Sequence, residues 1–151
     1  MMPDRYVRVA LVYQDADILE LDVTATNGRF TGAGLYYVGV DSLEETHELL
    51  AGFPVRADDS REVIFGSLEP GFARGGVRLH FSCVGLARRA HISVEMLTHN
   101  ETGTLTDAEL PDQRVTFWAA VEPAAVDSFL VELKAMVRRE RLAATLSLLT
   151  S

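Results

Sequence analysis

Three observations predict an α+β domain: apolar and polar residues alternate over most of the chain, two stretches carry apolar residues at helical spacing, and turn signals separate them. The expected form is a single curved, mostly antiparallel sheet of about six or seven strands. A short helix is expected near residues 42–51 and a second from Pro123. At 151 residues the chain fits one domain, assigned to residues 1–141, with an apolar tail at 142–151.

Val7, Val9, Leu11 and Tyr13 alternate with Arg8 and Ala10, the signature of a half-buried strand. The stretch "DADILELDVTAT" repeats the pattern, with Leu19, Leu21 and Val23 on one face and Glu20 and Asp22 on the other. Asn27-Gly28 then reads as a two-residue hairpin turn, because a type I′ turn needs positive φ at both central residues. Phe30 to Val40 is the expected returning strand. Glycine inside such a strand marks a bulge or a close backbone approach. Gly28, Gly32 and Gly34 lack the G-x-G-x-x-G spacing of a dinucleotide loop.

Asp41-Ser42 precedes "LEETHELLAG", a short helix that either residue could cap, with Glu44 and Glu45 complementing the dipole in its first turn. Gly52 and Pro54 end it. "REVIFGSL" is a strand, and "GGVRLHFSCVGLARRAHISVEMLTH" is a hairpin. A turn centred on Leu86-Ala87 sets both apolar rows on one face. It opposes Arg78 to Glu95, His80 to Ser93 and Ser82 to His91, and the opposite-charge pair supports that register. Residues 98–112 are polar and read as a loop, and "QRVTFWAAVE" is the last strand. Pro123 then opens a helix where its missing N–H is harmless, and Val126, Phe129, Leu130, Leu133, Met136 and Val137 form its apolar stripe.

Beyond "RRER" that stripe breaks. On a continued helix, Leu142, Leu146 and Leu149 lie nearly opposite the Val126–Val137 face. Either the chain bends near Arg141 and folds the tail back, or these leucines meet another surface. A helical continuation would offer them to a second copy, a possible homodimer.

The net charge of −8 lies wholly in residues 1–70, which hold 13 acids and five arginines; residues 71–151 balance. Such a field repels nucleic acid and speeds encounter with a basic protein partner. Asp15, Asp17, Asp41, Glu44, Glu45, Glu48, Asp58 and Asp59 are the candidate partner-binding residues; solubility alone is the competing account. No apolar run spans a bilayer, and no secretory signal is read at the start. The single cysteine, Cys83, suits a reducing cytosol, so a cytoplasmic location is expected.

No catalytic motif emerges. His80, Cys83, His91 and His99 lie within twenty residues, but His80 and Cys83 point to opposite faces of a strand. His80 and His91 supply at most two ligands on one face, where zinc takes three or four, so neither metal nor cofactor is expected. His47 between Glu44 and Glu48 reads as a surface or boundary residue. The alternative is a small-molecule or metal-binding domain, or a weak hydrolase, using the His80/His91 face.

Three segments, "LELDVTATNGRFTGAGLYYVGVDSLEETHELLAGFP", "VRLHFSCVGLARRAHISVEM" and "VTFWAAVEPAAVDSFLVELKAM", together resemble bacterial WapI-type immunity proteins and their relatives over about residues 17–137. The shared features are a strand ending in the aromatic pair Tyr36-Tyr37, the "DSLEE" helix entry, the "GFP" exit, and a closing hairpin, strand and helix. The resemblance implies a cytosolic, non-enzymatic protein that neutralises the nuclease domain of a polymorphic toxin. It carries no catalytic residues over.

Overall fold

The computed structural model describes residues 3–69, 74–84, 89–98 and 112–149. Among them the chain forms β1 (Tyr6–Gln14), β2 (Ile18–Thr26), β3 (Thr31–Gly39), α1 (Ser42–Leu50), β4 (Ser60–Gly66), β5 (Gly76–Val84), β6 (Arg89–Thr98), β7 (Gln113–Val121), α2 (Pro123–Val137) and β8 (Ala143–Ser147). The α+β class holds, but the single sheet of six or seven strands does not. Two antiparallel four-stranded sheets form instead, ordered β3-β2-β1-β8 and β4-β5-β6-β7. The division falls where α1 and the segment behind it carry the chain from β3 to β4, so those strands do not join in one ladder.

One continuous core fills the space between the sheets and helices. Val9, Leu21 and Val23 come from the first sheet, Leu79, Phe81 and Ile92 from the second, and Phe129 and Leu133 from α2. Along α2 the predicted stripe is buried at Val126, Phe129, Leu130, Leu133 and Met136. Along α1 the buried residues are Leu43, Thr46 and Leu50, and His47 lies at the boundary. The two helices pack on each other, α1 beside β4 and α2 beside β8.

The β5–β6 register is the one the sequence predicts: Arg78 opposes Glu95, His80 opposes Ser93 and Ser82 opposes His91. The Leu86-Ala87 turn, most of the 98–112 loop and His99 lie outside the described residues. In β1 the alternation slips between Leu11 and Tyr13, which leaves Tyr13 exposed although Val7, Val9 and Leu11 are buried.

The β2–β3 hairpin departs from the two-residue turn. Pairing ends at Thr26 opposite Thr31, so Asn27–Phe30 form a four-residue loop. Asn27 takes the place of a turn backbone: its Oδ1 accepts from the amides of Arg29 at 3.0 Å and Phe30 at 2.9 Å. Its Nδ2 donates to the Trp118 carbonyl at 3.0 Å, fastening the hairpin to the second sheet. Gly32 and Gly34 are sites of close approach, as expected. A β-carbon at Gly32 would stand 2.6 Å from Met96 Sδ and 2.8 Å from Val115 Cγ1.

The tail is neither helical nor separate. Arg139 adopts φ 60°, which ends α2, and residues 143–147 pair antiparallel with β1. Period-two alternation replaces the helical spacing read into the leucines. Ala144, Leu146 and Leu148 enter the core, while Leu142 and Leu149 remain 61% and 39% exposed. Leu146 therefore cannot present itself to a second copy. The bend near Arg141 is the arrangement adopted, because the unpaired β1 edge offers the tail both backbone partners and a dry face.

Candidate functional site

The acids expected on one surface divide into three settings. Ile18 pairs with Gly39, so the β1–β2 turn lies beside the β3 exit into α1. That end of the first sheet carries Asp17 and Asp41, and Glu44, Glu45 and Glu48 follow along α1, all five exposed. Asp41 is the N-cap residue of α1 but makes no side-chain cap hydrogen bond, which leaves its carboxylate free of that duty. Asp15 is exposed but occupied in shaping the turn. Its Oδ1 accepts from the Asp17 and Ile18 amides at 2.8 and 2.9 Å, and its Oδ2 accepts from the Tyr13 hydroxyl at 3.0 Å. The Asp17 N–H and then the Tyr13 hydroxyl hold this carboxyl below its usual range. Arg139, at the same end, donates to Gln14 Oε1 at 2.7 Å and to the Met136 carbonyl at 2.6 Å.

Asp58 and Asp59 sit past the other end of α1, which is about 13 Å long. Asp58 is exposed and pairs with Arg56 at 2.8 Å. Asp59 is buried and does not belong to a recognition surface. Its two oxygens accept from Arg61 Nε and Nη2, both at 2.9 Å, and Oδ2 also accepts from the Val55 amide at 2.8 Å. The Arg61 hydrogen bonds, outweighing desolvation, lower its pKa to about 2. Arg61 Nη1 donates in turn to the Leu49 and Ala51 carbonyls at 2.9 and 3.0 Å, closing the C-terminus of α1. The local run "ADDSR" hid this, since adjacent Asp58 and Asp59 look alike until the strand start turns one inward.

The His80/His91 face is the outer face of the second sheet. His80 Nε2 lies 2.7 Å from Ser60 Oγ, but Glu62, opposite His80 across the ladder, is drawn to Arg78 at 3.6 Å. The pair thus has a nucleophile-like hydroxyl and a base, and the carboxylate opposite it serves a guanidinium instead. Cys83 is partly buried and packs against the core. Among the described residues, no three or more His, Cys, Asp or Glu are grouped to hold a metal ion.

His91 lines a hollow of about 740 Å³ that the sequence reading missed. Trp118, Ala120, Arg89, Glu122 and Leu149 share its lining. The missed signal was the phase of "VTFWAAV": with Phe117 in the core, Trp118 must face outward, and it is 62% exposed. Among the described residues, no helix is long and apolar enough to cross a membrane. No family model, curated protein or solved structure matches this chain.

Proposed function

We propose that the chain is a protein-binding module of the immunity type, neutralising a basic, nuclease-like toxin domain through the acidic end of its first sheet. The observation that carries this reading is that Asp17 and Asp41 at the end of the sheet and Glu44, Glu45 and Glu48 along α1 are all solvent-exposed. An unpaired acidic patch accelerates docking onto a basic nucleic-acid groove and fixes its orientation. Asp15 shapes the turn that holds the patch, while Asp59 and Leu146 act in the interior and lie outside it.

The test is rescue. The chain is co-expressed with the toxin domain encoded directly upstream, as wild type and as the triple variant Glu44→Lys, Glu45→Lys, Glu48→Lys. These side chains are exposed on α1, so the variant should keep its circular dichroism spectrum. Rescue by the wild type, with association slowed in the variant and the difference shrinking as salt is added, supports the reading. A genome with no toxin gene beside this one, or an association rate indifferent to the three reversals at low salt, overturns it.

A further inference from the structure

A second, independent site is built on the outer face of the second sheet. The β6–β7 register places His91 opposite Ala120 and Ser93 opposite Trp118, and one further step sets Arg89 opposite Glu122. Ala120 contributes only a methyl group between much larger neighbours. The result is a hollow of about 740 Å³, within the range of small-ligand sites. Trp118 and Leu149 line it together with the polar side chains of Arg89, His91 and Glu122.

We propose that this hollow binds an uncharged carbohydrate, its ring stacked on Trp118 and its hydroxyls met by Arg89, His91 and Glu122. An exposed indole face is a platform for the apolar C–H face of a sugar ring. The lining carries one cation and one anion, so a charged ligand would meet a like charge as well as an opposite one. A neutral polyol uses both, accepting from the guanidinium and donating to the carboxylate. His91 Nδ1 is shut away without a partner, which leaves Nε2 as the ring nitrogen able to meet a ligand. A peptide added as a further strand is disfavoured, because the β7 edge is engaged. The Trp118 carbonyl accepts from Asn27 Nδ2 at 3.0 Å, and the Ala120 carbonyl accepts from the Leu149 amide at 2.9 Å.

Trp118 is the single tryptophan of the chain, so its fluorescence reports the site directly. The full chain is titrated with maltotetraose, cellotetraose and tetra-N-acetylchitotetraose, and with an uncharged tetrapeptide for comparison. The expected result is a saturable blue shift and protection from acrylamide quenching with at least one sugar. Ala120→Leu fills the hollow while keeping the fluorophore, and should abolish that response with an unchanged circular dichroism spectrum. Trp118→Ala, followed by calorimetry, should weaken binding about thirty-fold or more, as for a truncated aromatic anchor. No saturable response to any of the sugars overturns the proposal, as does a response only to the peptide. A sugar response that survives Ala120→Leu places binding elsewhere and overturns it equally.

Discussion

From edge to edge the first sheet runs β8, β1, β2, β3 and passes the chain to α1; the second runs β4, β5, β6, β7 and passes it to α2. Each helix then packs beside the strand that follows it, α1 with β4 and α2 with β8. The plan is repeated, but the second sheet is one uninterrupted meander, whereas the first waits for the end of the chain to supply its fourth strand. The helix ends differ as well. An arginine closes each, Arg61 on the Leu49 and Ala51 carbonyls and Arg139 on that of Met136. Arg61 is held by the buried Asp59 carboxylate, and Arg139 by the neutral Gln14 amide. Like topology is therefore secured by unlike means: local connection and a shielded ion pair on one side, long-range closure and hydrogen bonds to neutral acceptors on the other.

The largest effect should come from breaking the long-range closure. Removing residues 142–149 takes Ala144, Leu146 and Leu148 out of the core and strips β1 of its partner. Leu146→Ala alone should lower stability by about 2–5 kcal/mol. The full deletion should consume most of the roughly 5–15 kcal/mol that holds an ordinary domain together. We expect the deletion variant to lose its cooperative urea transition, with amide protection vanishing from β1 and β2 before β5 and β6. Leu142→Ala, on the exposed side of the same segment, should stay within about 0.5 kcal/mol of wild type. A deletion variant of unchanged stability would mean that the first sheet does not depend on its last strand.

The next effect should separate the two helix ends. Asp59→Ala or Arg61→Ala leaves one charge of a shielded pair without its partner, which costs about 3–5 kcal/mol. Arg139→Ala breaks hydrogen bonds to the neutral Gln14 amide and Met136 carbonyl and should cost about 1 kcal/mol. Acid sharpens the contrast. The folded pKa of Asp59, about 2, lies below its ordinary value of 3.8. Its contribution is therefore complete above about pH 4 and disappears as pH falls toward 2. Urea midpoints measured across that window should fall less steeply in Asp59→Asn than in wild type. Equal slopes would show that this pair does not set the acid limit.

The same contrast explains what the sequence disclosed. The β5–β6 register was legible because both faces carry a consistent pattern and Arg78 meets Glu95 only in one alignment. Pro123 and the Val126–Met136 stripe announced α2 with similar economy. The fourth strand of the first sheet was not legible: "LAATLSLL" has weak strand propensity, and three leucines in it fit a helical period by coincidence. Only the vacant edge of β1, more than a hundred residues away in sequence, decides that it is a strand. The acidic end was partly legible, since charge is visible but burial is not; Asp58 and Asp59 are neighbours with opposite fates. Strand phase sets Trp118 outward, but Ala119 and Ala120 carry neither charge nor turn signal, so nothing in the local sequence marks the hollow beside it.

The smallest effects concern the far strand of each sheet. β7 fills its inner face with Phe117, whereas β3 has Gly32 and Gly34 there and closes the space with Tyr36. The end of the Tyr36 ring occupies the place where a β-carbon on Gly34 would stand, with Thr98 Cγ2 also 2.9 Å away. Gly34→Ala should therefore overpack the interface and cost about 1–3 kcal/mol. The Tyr36 hydroxyl is buried without a hydrogen-bond partner, and burial pushes its pKa up to about 12. Leaving such a group unsatisfied costs about 1–3 kcal/mol, part of which Tyr36→Phe should recover as a gain of about 1 kcal/mol. The double variant should keep most of the Gly34→Ala loss, because the ring carbon Cζ lies 2.5 Å from the added methyl position and phenylalanine retains it. Urea midpoints for the two single variants and the double form the complete cycle. A Tyr36→Phe variant that loses stability would mean that the hydroxyl has a partner in solution, and that β3 is held to the second sheet by a polar contact as well as by fit.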